Sequence, residues 1–160
     1  MKTIIVYYSL NGNTDAAARS LAEKLGAALL RLEPETAYPD KGFKKFLWGG
    51  KSAVMAETPT LRPYDFDASA WDQVILGFPV WASNLAPPLR TFLRDNAAAL
   101  AGKRVAAFAC MAGSGGDKAL AKLEALLGRP LAAKLILIDP KDRPAADNGE
   151  KLDAFCEACG

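Results

Sequence analysis

Thr3 to Tyr8 reads TIIVYY, an unbroken run of β-branched and aromatic residues. The run is too short for a helix and has no polar alternation, so it predicts a strand buried on both faces, as in a parallel sheet. A polar turn follows, Ser9-Leu10-Asn11-Gly12-Asn13-Thr14, and then Ala16 to Leu25, where Ala17, Leu21 and Leu25 recur on one helical face before Gly26. A parallel strand reaches its neighbour only through a crossover, so strand, turn and helix in this order point to an α/β architecture.

The rest of the chain repeats the alternation. Ala28 to Leu32 predicts a second strand stopped at Glu33-Pro34, and Lys41 to Ala56 one helical segment interrupted at Gly49-Gly50. After a Pro-punctuated linker come a strand at Gln73 to Phe78, a helix at Pro87 to Leu100 and a strand at Arg104 to Cys110. Gly116 to Leu127 predicts a helix, Ala133 to Ile138 the last strand and Ala145 to Cys159 the closing helix. Together these make a doubly wound, five-stranded parallel sheet with right-handed crossovers and helices on both faces. No repeat or linker divides the 160 residues, so residues 1–160 are expected to form a single domain.

Composition narrows the chemistry. There is no histidine and there are only three cysteines, Cys110, Cys156 and Cys159. A Ser-His-Asp or Cys-His nucleophile, a histidine-containing zinc site and a four-cysteine cluster are excluded, and no metal site is expected. Any catalysis must fall to a cofactor or to other side chains. Twenty basic residues against eighteen acidic ones leave a net charge of +2, which argues for neither nucleic acid nor a membrane surface as partner. The apolar stretch after Met1-Lys2 is short and runs into the polar turn, so it reads as a strand and not as a leader. No apolar run approaches the ~18 residues of a membrane span, and the odd cysteine count suits a reducing compartment, so the expected location is cytoplasmic. Cys156 and Cys159 read as structural thiols, and Cys110 as a small buried residue.

In open parallel sheets ligands collect at the carboxyl ends of the strands, which directs attention to the loops after Tyr8, Phe78 and Cys110. The first joins a strand to a helix N-terminus and offers hydroxyls, amides and one glycine, with no lysine or arginine. Unpaired backbone N–H groups and the helix dipole there suit a phosphate monoester, with Ser9, Asn11, Asn13 and Thr14 as neutral donors. The same residues also suit a plain N-cap and polar turn. Gly50-Lys51-Ser52 lacks the leading glycine of a P-loop, since Lys45 stands there, and Gly113-Ser114-Gly115 has Lys118 where a dinucleotide fingerprint needs glycine.

Ile5-Val6-Tyr7-Tyr8-Ser9 through Gly12-x-Thr14, with Ala18 and Leu21, resembles the N-terminal signature of the flavodoxin family in residue type and spacing. The resemblance continues through Lys41-Gly42-Phe43 with Gly49-Gly50-Lys51, Gly77-Phe78-Pro79-Val80-Trp81, Pro88, Phe92, and Cys110 with Gly113 and Gly116. It implies a strand order of 2-1-3-4-5 and FMN across the switch point between the first and third strands.

On that resemblance Ser9, Leu10, Asn11, Gly12, Asn13 and Thr14 would hold the phosphate. Pro79, Val80, Trp81, Ala82, Ser83 and Asn84 would flank the ring and ribityl chain, with Trp81 projecting from a proline turn as the stacking residue. Ala82 stands where the family often has a second aromatic. Met111, Ala112, Gly113, Ser114 and Gly115 would meet the polar ring edge, mainly through backbone N–H groups, because Met111 and Ala112 replace the family's hydroxyls. The apolar group Phe43, Phe46, Leu47 and Trp48 reads as core, although in the family this insert lies near the flavin. The function implied is electron transfer by noncovalent FMN, with no catalytic side chain. The partner would be a redox protein, or a small quinone or NAD(P)H if the chain is an oxidoreductase; a flavodoxin-like fold without flavin is the third possibility. A sequence pI near 8.4 sets the chain apart from the acidic carriers of the family. Nothing in the sequence sets the oligomeric state.

Overall fold

The computed structural model describes residues 1–39, 51, 53 and 55–160. Three strands lie side by side at its centre: β1 (Thr3–Tyr7), β3 (Gln73–Trp81) and β5 (Arg104–Met111). β2 (Ala28–Arg31) flanks β1 and β6 (Lys134–Ile138) flanks β5, which gives the order β2-β1-β3-β5-β6, parallel throughout. These five strands have the expected 2-1-3-4-5 arrangement. A sixth, unforeseen strand, β4 (Asn84–Leu85), folds back antiparallel on the end of β3.

Strand alternation sorts the core. Ile4, Val6, Val74, Leu76, Phe78, Val105, Ala107 and Ala109 face one side, where they meet Leu89, Phe92 and Leu93 of α2 (Pro87–Leu100) and Leu120 and Leu123 of α3 (Gly116–Leu127). Ile5, Tyr7, Ile75, Ala106, Phe108, Leu135 and Leu137 face the other side, against Ala17, Ala18 and Leu21 of α1 (Asn13–Leu25) and Leu152 and Phe155 of α4 (Asn148–Cys159). Both faces of the sheet are covered, which is why its strands read as continuous apolar runs. At Gly77 a Cβ would coincide with the Phe108 ring lying across it, so the side-chain layer is continuous only because position 77 has none.

Opposite the strands' carboxyl ends, buried Gln73 donates to Thr3 Oγ1 at 3.2 Å and to the Cys159 carbonyl at 3.0 Å, and accepts from Arg104 Nε at 2.8 Å. Arg104 also donates to the Ala158 carbonyl at 2.6 Å. This network fixes the end of α4 to the bottom of the sheet, and Cys159 and Cys110 are buried there and in β5, with Cys156 partly buried.

Four strand ends differ from the sequence reading by one residue, and three boundaries differ by three. α1 starts at Asn13 instead of Ala16, because Gly12 takes a left-handed φ of 100° and turns the chain into the helix earlier. α4 starts at Asn148 instead of Ala145, because Asn148 spends its carboxamide on both backbone groups of Ile138, at 3.1 and 2.7 Å. β3 runs past Phe78 to Trp81. The Gly77 carbonyl faces β1, accepting from Tyr8 N–H at 3.1 Å, so Pro79, two residues on, turns its missing N–H to the side where β1 has ended. The segment Lys41 to Ala56 falls largely outside the described residues, as do Phe43, Phe46, Leu47 and Trp48. Among the described residues no helix is long and apolar enough to cross a membrane.

Candidate functional site

At the carboxyl ends of β1, β3 and β5 lies a cavity of about 390 Å³, a size typical of small-molecule sites. It is lined by Leu10, Asn11 and Asn13, by Pro79, Val80, Trp81 and Ala82, by Cys110 to Ser114, and by Asp139. The three loops singled out in the sequence therefore converge on one space. Within them Ser9, Gly12, Thr14, Ser83, Asn84 and Gly115 support the walls instead of lining them.

The first wall is the turn into α1. Ser9 is buried, and its hydroxyl oxygen accepts from the Asp15 N–H at 3.1 Å, capping the helix from six residues upstream. Asn13 N–H leans on Asn11 Oδ1 at 3.5 Å, leaving the Gly12 and Thr14 N–H groups without an acceptor among the described residues. Thr14 is buried, and its side chain hydrogen-bonds Cys110, so its hydroxyl points into the protein and not to the turn. Asp15 contributes no free negative charge to this end. Burial would raise its pKa, yet hydrogen bonds from Arg19 at 2.8 Å and Tyr7 at 2.6 Å, with the nearby Arg31, hold it below the usual carboxylate value.

A strap between β6 and α4 closes over this turn. Asn13 Oδ1 accepts from the N–H groups of Lys141 at 2.9 Å and Asp142 at 3.2 Å, and Asn13 Nδ2 donates to the Asp142 carboxylate at 3.1 Å. Lys141 Nζ donates to the Asn11 carbonyl at 3.2 Å. The turn carries no cation of its own, but the fold brings two to it, Lys141 at Asn11 and Arg31, which donates to the Ser9 carbonyl at 3.2 Å. Asp139, where the strap begins, takes a φ of 38°, unusual for a non-glycine, and donates its N–H to Met111 O at 3.0 Å.

The second wall is the end of β3. Trp81 projects from a β-hairpin and not from a proline turn: it pairs with Asn84 across Ala82 and Ser83, whose φ values of 50° and 60° mark a two-residue type I′ turn. The indole is held edge-on by Tyr38, with centroids 5.2 Å apart at 73°, and by Tyr8, at 5.7 Å and 89°. Burial, and then the neighbouring Tyr38, push the Tyr8 phenol above its ordinary pKa. Asn84 points away from the cavity, donating to Ala82 O at 2.7 Å and accepting from Lys122 Nζ at 2.7 Å.

The third wall is Met111 to Ser114, ahead of Gly115. Gly115 has φ 95°, and a Cβ there would stand 2.7 Å from Ser83 Oγ, so this glycine lets the third loop dock against the hairpin. Cys110 lies at the floor. Burial raises its thiol and nearby Asp139 adds to the rise, against the Thr14 hydrogen bond, and the thiol is pushed up to about 12. A neutral thiol of this kind is no nucleophile at ordinary pH. Among the described residues no group of three or more Cys, Asp or Glu side chains is placed to hold a metal ion.

Cys110, Asp139, Lys141, Asp142 and Tyr38 are the participants the sequence reading missed. Cys110 was placed in the core, which it also joins; the others come from segments with no motif. The donor set fits a phosphorylated, largely apolar ligand: open N–H groups and an ammonium at one end, Leu10, Val80, Trp81 and Met111 along the middle, and glycine-rich backbone at the other end.

The family model described as Flavodoxin matches residues 2–134. Among solved structures, the chain is similar to the flavoprotein of Lactobacillus acidophilus NCFM, crystallised in complex with FMN, with a TM-score of 0.76 at 19% identity over 96% of this chain and 97% of that one. A Bacteroides uniformis protein assigned to the flavoproteins gives 0.74 at 22%, covering 96% of each chain. The flavodoxin, WrbA-like protein of Agrobacterium tumefaciens gives 0.57 at 16%, over 97% of this chain and 92% of that one. With its sheet order, its turn into α1 and a family match over most of its length, the chain belongs to the flavodoxin family.

Proposed function

We propose that this protein binds FMN noncovalently at the carboxyl ends of β1, β3 and β5 and serves in electron transfer. The observation that carries this reading is one cavity lined in turn by Leu10, Asn11 and Asn13 at the start of α1, by Trp81, and by the glycine-containing Met111 to Ser114 loop. FMN, when bound, supplies a centre that takes up and releases one or two electrons.

The chain's own residues bind, orient and exclude water. The α1 N-terminus and the Ser9 to Thr14 turn would hold the phosphate. Trp81, immobilised by Tyr8 and Tyr38, together with Leu10, Val80 and Met111, would form a dry wall for the ring. The Gly113 and Ser114 backbone would offer N–H donors to polar ring atoms. Cys110 is held neutral and the sequence has no histidine, so neither serves as a base or nucleophile beside the cofactor.

An NAD(P)H-dependent flavin or quinone oxidoreductase is the second reading, favoured by the net charge of +2 in place of an acidic docking surface. Purified protein is expected to absorb between ~350 and ~500 nm, where oxidised flavin absorbs. Rapid NAD(P)H oxidation with a quinone acceptor would assign the oxidoreductase role; reduction only by a partner protein would assign the carrier role. A colourless preparation that takes up no added FMN would reduce the protein to a flavodoxin-like fold without flavin.

A further inference from the structure

We propose that Lys141 is the phosphate-recognising cation of this site and makes it selective for a flavin 5′-monophosphate over the unphosphorylated flavin. The inference rests on the FMN reading above and adds a residue 130 positions from the turn it serves.

The position of Lys141 is fixed by its backbone. Its N–H is held by Asn13 Oδ1 at 2.9 Å, which sets the strap against the first residue of α1. Its side chain then lies along Gly12: a Cβ at that glycine would stand 3.0 Å from Nζ and 3.2 Å from Cδ. Gly12 therefore both supplies the left-handed bend and clears the path of the lysine. One Nζ proton is given to Asn11 O. The ion pair to Asp142 is long, 3.8 Å, and both side chains are about half exposed, so it does little to occupy the ammonium.

Charge at this end requires the lysine. A monoester dianion carries close to two negative charges, whereas the helix terminus contributes only about half a positive charge. Asp139 lines the cavity and Asp142 is bonded to Asn13, so two carboxylates already stand at the site. Arg19 is engaged with Asp15, and Arg31 is shared between Asp15 at 3.5 Å and the Ser9 carbonyl at 3.2 Å, at the strand end of the turn. Lys141 is the cation whose side chain lies along Gly12 and donates to Asn11 O, beside the helix N-terminus, and it offsets the repulsion that Asp139 and Asp142 would exert on a phosphate.

The test is titration of the flavin-free protein with FMN and with riboflavin, for wild type, Lys141→Met and Lys141→Arg, at low salt and in about 0.5 M salt, where the Debye length falls to about 4 Å. Both substitutions keep the backbone N–H that Asn13 binds, and thermal unfolding of each flavin-free variant checks the fold. Lys141→Met is expected to weaken FMN binding about tenfold at low salt, as for loss of a charged hydrogen bond, and to leave riboflavin unchanged. The FMN deficit should shrink in salt, and Lys141→Arg should restore it. Equal losses for both flavins, or an FMN affinity unmoved by Lys141→Met in a wild type that binds FMN, would overturn the assignment alone. A wild type that binds neither flavin would overturn the FMN reading as well.

Discussion

Asn13 and Asp142 exchange two hydrogen bonds across 129 positions of sequence: Asn13 Nδ2 donates to the Asp142 carboxylate at 3.1 Å, and Asn13 Oδ1 accepts from the Asp142 N–H at 3.2 Å. The first residue of α1 is thereby the clasp for the strap after β6, and one side chain joins the two ends of the domain at the site.

Asn13→Asp tests the clasp. It replaces the donor by a carboxylate facing Asp142, so the flavin-free protein should lose about 1–3 kcal/mol in urea unfolding, with FMN affinity falling as the strap loosens and negative charge enters the turn. Thr14→Glu is a poorer probe of the phosphate end, because Thr14 is buried against Cys110 and a carboxylate there would attack folding first.

Gly77→Ala should cost about 1–3 kcal/mol or more, since the new methyl meets the Phe108 ring between two central strands. In a Phe108→Leu background the same substitution should cost less. A thermodynamic cycle on the four proteins measures this coupling, and additive losses would place the clash elsewhere.

Ala82 and Ser83 sit in left-handed backbone without being glycine or asparagine. Ala82→Asn with Ser83→Gly, the residues a type I′ turn favours, should raise stability by about 1 kcal/mol or more. Thermal unfolding of the double variant provides the measurement, and no gain would mean that the Ser83 contact with Gly115 outweighs the relieved strain.

Alkaline stability should depend on Tyr7. Burial, its hydrogen bond to Asp15 and the Asp15 charge push the phenol from 10.0 up to about 12. The folded state keeps a proton that the unfolded chain releases, so this contribution is intact below about pH 10 and lost as pH rises toward about 12, at up to about 1.4 kcal/mol per pH unit. Urea midpoints between pH 8 and 12 should fall less steeply for Tyr7→Phe, and an unaltered slope would show that Tyr7 is not the titrating group.

The sequence revealed what neighbouring residues control. Pro87 and Pro88 at a helix start and Gly128 past a helix end mark α2 and α3 at the expected limits, and apolar runs identify the five parallel strands. The three loops that wall the cavity were legible because each is continuous in sequence. The hairpin at Ala82-Ser83 was not, since neither residue type signals left-handed backbone. Nor was the extension of β3, where Pro79 is tolerated only because β1 stops short of it. Tyr38, Asp139, Lys141 and Asp142 carry no local mark of their roles. Asp139 lines the cavity, and the other three brace its walls, through tertiary contacts with Trp81, Met111 and Asn13 that no local pattern encodes.

The strap over Asn13 also couples the site to a segment far along the sequence. The family match ends at residue 134, before Asp139, Lys141 and Asp142. β1, β3 and β5 carry the loops that wall the cavity, yet the turn into α1 is clasped only where Asn13 meets Lys141 and Asp142. Grip at that turn is a tertiary property, gained when a segment 130 positions downstream of Asn11 closes on it.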